Sequence, residues 1–306
     1  MKNIYLLAGL ILFSCSNKTP AEISSLINPT VIDDSLSSNR HSPPSQGLPF
    51  PLLEDLDSVE ILKKIVLPKV INETSGLEFY KNNFITHNDS GDKPLLYVFN
   101  ERGNIVSTID LTEDSTIKVK NNDWEDITMD NEYFFIANTG NNLGYRRNLN
   151  IIRVKNKSKF TVDGIIRISY LDQKNFLPRF KHKHDAEALL IIDDKIALFT
   201  KDRKSLNTDL YLIDKDVAGP QKLVSKINYK VNSLITGGDY NADLNLLALV
   251  GYSKTLSETG KVRFEEGVKY VSYKEEYNQF LIVFDKFDLE NLEKNTFKKY
   301  IIHVEQ

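Results

Sequence analysis

From Val59 onward, apolar residues fall in short runs of four to eight, separated by turns rich in Asn, Asp and Gly. No stretch carries the 3.6-residue period of an amphipathic helix, so the runs predict β-strands. The runs also repeat. Ser75-Gly76-Leu77 precedes Phe84 to Asn88, and Glu125-Asp126-Ile127 precedes Phe134 to Asn138. Glu187-Ala188-Leu189 precedes Ile196 to Thr200, and Gly238-Asp239-Tyr240 precedes Leu247 to Gly251. Offsets of 50, 62 and 51 residues carry both features from copy to copy without gaps. A third run follows in each copy (Leu95 to Phe99, Leu149 to Val154, Leu210 to Ile213, Phe280 to Phe284), and then a fourth. The fourth runs are Ile105 to Leu111, Ile165 to Leu171, Lys222 to Tyr229 and Phe297 to Val304.

Four antiparallel strands every 50 to 60 residues, with no crossover helix, predict an all-β chain folded as a β-propeller of four-stranded blades. A four-stranded sheet cannot hide both faces alone, so each blade packs on its neighbours around an axis. Val59 to Leu67 resembles a blade's fourth strand with no inner strands beside it. Two arrangements fit: a four-bladed ring with an added strand, or a ring with an incomplete fifth blade.

Residues before the repeats predict an address. Met1-Lys2-Asn3 is a positive start, and Ile4 to Phe13 is an apolar run too short to span a bilayer. It ends in Leu12-Phe13-Ser14-Cys15, which resembles a bacterial lipoprotein signal. That resemblance implies cleavage before Cys15, acylation of the cysteine, and export to a lipid bilayer, with the outer membrane expected from Ser16. Residues 16–51 are rich in Ser, Pro and Asn and read as a flexible tether with a reach of roughly 30 Å. The organisation expected is a signal peptide over 1–14, an anchored linker over 15–51 and a propeller over 52–306.

Composition narrows the chemistry. Lys and Arg number 39 against 42 Asp and Glu, a net charge of −3, which gives no surplus for gripping nucleic acid. One cysteine excludes intrachain disulfides and Cys-rich metal sites. Neither a P-loop, a Gly-x-Ser-x-Gly elbow, a dinucleotide fingerprint nor His-Glu-x-x-His occurs.

Ser75-Gly76-Leu77, His87-Asn88-Asp89-Ser90-Gly91, Asp123-Trp124-Glu125-Asp126-Ile127, Gly140-Asn141-Asn142, Asp185-Ala186-Glu187-Ala188-Leu189 and Thr236-Gly237-Gly238-Asp239 form a set. Across roughly residues 59 to 250 it resembles a bacterial propeller family of largely unknown function. More distantly it resembles esterase-like phytase proteins and calcium-dependent nucleotidases of the apyrase type. The resemblance implies acidic residues at the openings of the inner strands, around an axial calcium.

The register itself places Ser75, Glu125, Glu187 and Gly238 around one mouth of the channel, with Glu73, Asp123, Asp185 and Thr236 two residues earlier. Asn88, Asn138 and Thr200 end the second strands, beside Asp89, Thr139 and Lys201. Carboxylates gathered in a channel repel, and either shared protons or a cation relieves them. Oxygen-only donors favour Ca2+, with Glu73, Asp123, Glu125, Asp185, Glu187, Asn88 and Asn138 as the candidate ligands. Alternatively, Glu125 and Glu187 pin backbone N–H groups of the next blade.

Three residues are candidates for catalysis: Glu125, Glu187 and His87. The alternative for His87 is a turn histidine satisfied by Asp89. Lys201, Asp239 and Trp124 are candidate ligand contacts. A salt bridge from Lys201 to Asp202 or a channel carboxylate, and packing of Trp124 between blades, are the plainer readings. His182-Lys183-His184 is expected in a solvated turn, the 141–147 loop at the rim, and the 254–277 insertion as a lid or partner surface. Two functions remain open: a lipid-anchored propeller that binds a ligand or protein partner, or a calcium-dependent hydrolase of phosphoesters or esters.

Overall fold

The computed structural model describes residues 57–59, 65–113, 115–157, 159–217, 219–252 and 279–302, together with a short strand at 5–6. Cys15, the tether over 16–51 and the insertion over 254–277 lie outside the described residues.

Three short strands lead in: β1 (Tyr5–Leu6), β2 (Asp57–Val59) and β3 (Ile65–Val66). Blade one comprises β4 (Thr74–Tyr80), β5 (Asn83–Asn88), β6 (Leu95–Phe99) and β7 (Ile105–Asp110). Blade two comprises β8 (Asp126–Met129), β9 (Tyr133–Asn138), β10 (Asn150–Asn156) and β11 (Phe160–Tyr170). Blade three contains β12 (Ala186–Ile192), β13 (Lys195–Thr200) and β14 (Thr208–Asp214), and then, after β15 (Gln221–Leu223), which joins the sheet of blade two, β16 (Ile227–Tyr229). Blade four contains β17 (Leu234–Asn241), β18 (Leu246–Tyr252), β19 (Gln279–Asp285) and β20 (Lys298–Ile302). The protein is a four-bladed β-propeller, and no α-helix occurs among the described residues.

Alternation along each second strand explains why those strands are apolar throughout. In β9, Phe134 and Ile136 face blade one, where they pack with Ile85, Leu96 and Trp124. Phe135 and Ala137 point the other way, to Ile166, Leu198 and Tyr211 between blades two and three. Leu190, Phe199, Leu249 and Phe284 fill the space between blades three and four. The remaining face of blade one, with Phe84, Tyr97 and Phe99, is covered by Ile65, Leu67 and Ile71.

One expectation is corrected at the sheet edges. Lys222 to Tyr229 is not one outer strand. Its first half, β15, pairs in parallel with β11 of blade two, while β16 pairs with β14 of its own blade. The break falls at Ser225, whose hydroxyl donates to Asp209 Oδ1 at 2.6 Å. The N-terminal segment does reach the last blade, through β2, which adds to β20 in parallel as an outermost fifth strand.

Candidate functional site

Inner strands open at the channel mouth with a β-bulge in three of the blades. The register shifts between Thr74 and Leu77, between Ala186 and Ala188, and between Ile235 and Gly237. A bulge turns the extra side chain out of the alternation, and here Ser75, Glu187 and Thr236 occupy it. The fourth hub residue is therefore Thr236, not Gly238. The cause is the first hairpin of blade four. Tyr80 pairs with Asn83 and Ile192 with Lys195, leaving two-residue turns, whereas Asn241 pairs with Leu246 and leaves four. The two extra turn residues slide the inner strand relative to the second strand in sequence.

Blades one and two supply the first half of the hub. One carboxylate oxygen each from Asp89, Asp123 and Glu125 lies within 4.8 Å of the other two. Asp89 follows β5, and the other two precede β8 on either side of Trp124. The Trp124 N–H donates to Asp89 O at 3.0 Å and ties the two loops together. Burial, and then the Asp89 carboxylate, push Asp123 up to about 7, while Arg146 pulls against them. Arg146 lies 3.7 Å from Asp123 Oδ2, and it also donates to Gly140 O and to Asn138 Oδ1. Gly140 has a steric reason to be glycine: a Cβ there would run into Glu125 Oε1 and the Asp123 carboxylate.

Blade three supplies the second half. Glu187 is 2% exposed and accepts from Lys201 Nζ at 2.6 Å. Asp185 is fully buried, accepts the Asn141 N–H at 2.7 Å and pairs with Arg203 Nη2 at 3.1 Å. Burial and then Glu187 raise Asp185, against the pull of Arg203 and Lys201. Burial works against the charge on Arg203, yet Asp185 and Glu187 beside it hold its pKa above the usual arginine range. Lys201 also sits 5.5 Å over the Tyr252 ring of blade four.

The hub thus gathers Asp89, Asp123, Glu125, Asp185 and Glu187 around Arg146, Lys201 and Arg203. Carboxylates outnumber cations by two. Lys201 does not stand alone, because Arg146 and Arg203 arrive on the loops after β9 and β13. Those loops leave the same mouth that the acids open on, and that was the available signal. The 141–147 loop therefore reaches into the hub as well as the rim.

Backbone groups are pinned between blades by further side chains. Asp126 Oδ2 accepts the Leu189 N–H at 2.8 Å. The Ser75 hydroxyl donates to Glu125 O at 2.6 Å, and the Thr139 hydroxyl to Ala186 O at 2.7 Å.

Several candidates lie apart from the cluster. The Glu73 side chain is exposed. Asn88 is spent within blade one: its Oδ1 accepts the Glu73 N–H, and its amide donates to Val70 O and Asp92. Asn138 orients Arg146. His87 is enclosed, with Nδ1 3.0 Å from Asn88 O and its ring edge-on to Trp124. Trp124 is 0% exposed and donates to Lys120 O at 3.3 Å; it packs between blades and offers no face to a ligand. His182 and His184 are also buried rather than solvated. His184 Nε2 lies 3.0 Å from Asp172 Oδ1, and His182 Nε2 lies 3.2 Å from Asn142 O.

Further along the inner strands is an acid the sequence did not single out. Burial, and then Asp239 of blade four, push Glu78 of β4 up to about 8. Burial raises Asp239 itself to about 6. The two charges sense each other across the channel between the first and last blades.

No protein-family model and no curated protein matches this chain. Solved structures similar to it include hydrazine synthase of Kuenenia stuttgartiensis, at 11% identity and TM-score 0.38, covering 71% of this chain and 50% of that one. The chain thus spans half the length of that neighbour. A putative 6-phosphogluconolactonase from Bacteroides uniformis matches at 11% identity and TM-score 0.36 over 80% of this chain and 72% of its own. A duf4221 protein from Bacteroides vulgatus matches at 10% identity and TM-score 0.32, covering 75% and 82%.

Proposed function

We propose that this protein is a lipid-anchored propeller that binds a ligand or protein partner at the hub mouth, with a calcium ion held by Asp89, Asp123 and Glu125. The observation that carries this reading is the convergence of those three carboxylate oxygens within 4.8 Å. Hard oxygen donors suit calcium, which takes 6–8 of them, so a three-residue site leaves positions for water or a ligand oxygen. Two features of the chain fit the ion: Asp89 Oδ1 is buried with no hydrogen-bond partner, and Gly140 keeps the space beside the carboxylates clear. Of the candidate ligands Asp123 and Glu125 remain and Asp89 joins them, since Glu73 is exposed and Asp185 and Glu187 are engaged by cations. The motif set from Ser75-Gly76-Leu77 to Thr236-Gly237-Gly238-Asp239 supports kinship with the bacterial propeller family described above.

A calcium-dependent hydrolase has less support. His87 is enclosed, and Glu187 is tied to Lys201, so neither is placed to activate water.

Thermal melting tests the ion. Calcium at about 100 times its Kd will raise Tm by roughly 5–10 °C over chelator, equivalent to about 2.7 kcal/mol. Asp123→Asn will abolish that shift. It will also raise Tm in chelator at pH 8 by roughly 4–8 °C, because it removes a carboxylate held near 7. The sign follows from linkage. A carboxyl raised from 3.8 to about 7 binds its proton more tightly when folded, so this group costs stability as pH rises from 4 to 7. Calcium will flatten that slope. The absence of any calcium-dependent shift at millimolar concentration refutes the site.

The anchor has its own test, the intact mass of protein extracted from membranes. We expect a chain beginning at Cys15 and carrying acyl groups; an unmodified, freely soluble product refutes it. Cleavage there would remove β1, which contributes nothing to the hub.

A further inference from the structure

A cleft lies beside the hub, on the side of blade two that faces blade one. The segment over 112–122, which joins these blades, stands away from β10 and β11 and leaves a cleft of about 530 Å³. Its lining includes four cations, Lys118, Lys120, Arg147 and Arg167, and no Asp or Glu. Among the described residues no carboxylate pairs with any of the four. In a chain whose net charge is −3, such a gathering is local and not a general basicity.

Local structure fixes the cations. Lys118 and Lys120 are exposed on either side of buried Val119, the alternation of an extended segment, so both look into the cleft from one wall. Arg167 stands on β11, directly opposite Asn150 of β10. The Arg147 guanidinium lies 3.6 Å over the Phe176 ring, which holds its planar fork in place. Leu149, Ile152 and Ile165 make an apolar floor. Asn138 belongs both to this lining and to the hub, where it orients Arg146.

We propose that this cleft binds a small oligoanion, a ligand of sugar size carrying two or more phosphate or sulfate groups. One oxyanion would leave most of the four charges repelling one another, whereas several would neutralise them, with guanidinium forks taking two oxygens at once. The floor receives the carbon frame. The volume falls within the range of ordinary small-molecule sites.

Calorimetric titration of the full chain in mild detergent at 50 mM NaCl tests this, with tripolyphosphate and sucrose octasulfate as probes and inorganic phosphate for comparison. We expect one equivalent of an oligoanion to saturate the protein, and inorganic phosphate not to do so. Tighter binding of tripolyphosphate assigns a phosphorylated ligand, and tighter binding of sucrose octasulfate a sulfated one. Lys118→Gln and Arg167→Gln will each weaken the better probe by about tenfold, the worth of one charged hydrogen bond. Lys118→Arg will retain binding. Lys204→Gln, an exposed lysine outside the cleft, will change nothing. Both neutralised positions are exposed, so unchanged circular dichroism is expected to accompany the loss. The proposal is overturned if neither probe saturates, or if Lys118→Gln and Arg167→Gln bind as the native chain does.

Discussion

Lys201→Met will lower the stability of the propeller by about 3 kcal/mol and its Tm by roughly 6–12 °C. Lys201 and Glu187 are both buried and 2.6 Å apart. Removing the ammonium leaves Glu187 charged in a site that water does not reach, which is what makes a broken buried pair expensive. Arg203 can compensate only in part, because it stands 3.9 Å from Glu187 and is already engaged by Asp185 at 3.1 Å. The informative comparison is the double change Lys201→Met with Glu187→Leu. Replacing both members of a buried pair by apolar residues of similar size is often close to neutral. Here it also removes the charge that, after burial, raises Asp185 most. The double variant will therefore melt above the single one. If Lys201→Met alone unfolds within 1 °C of the native chain, the hub is wetter than its burial implies and the ion-pair account fails.

The blades were legible in the sequence because their cause is local. Alternation of apolar residues and the spacing of Asn, Asp and Gly turns are properties of a few consecutive positions, and repetition multiplies the signal. The hub was legible where its geometry depends on the same count: Glu125 and Glu187 do come to one mouth. At Thr236 the count failed for a definite reason. The turn of blade four is two residues longer, and only cross-strand pairing reveals that Ile235, not Gly237, sits opposite Gly251. Long-range partners were the least accessible. Arg146 and Arg203 are charged loop residues of the kind usually found in solvent, and their ties to Asp123 and Asp185 exist only once the first two strands of the same blade have paired. Asp126 waits on the packing of blades two and three. Strand alternation turns it toward the Leu189 N–H of the next blade.

Trp124→Ala will cost about 3–5 kcal/mol, a fall in Tm of roughly 6–20 °C, and it will take the calcium response with it. Trp124 is among the largest fully buried side chains, wedged between blades one and two with Ile85, Leu96 and Phe134. Truncation leaves a cavity that two packed sheets cannot close, and it removes the edge contact to His87, whose ring centroid lies 5.4 Å away. The indole also anchors the segment at Lys120 O, 3.3 Å from Nε1. Its neighbours in the chain are Asp123 and Glu125, so the apolar wedge and the carboxylates share a single turn of backbone. The wedge sets where the carboxylates stand. Trp124→Phe separates packing from position, because it keeps most of the volume and loses one hydrogen bond. It will melt closer to the native protein and retain the calcium shift. Should Trp124→Ala lose stability yet respond to calcium undiminished, the carboxylates hold their places without the wedge, and the link between blade packing and the hub must be abandoned.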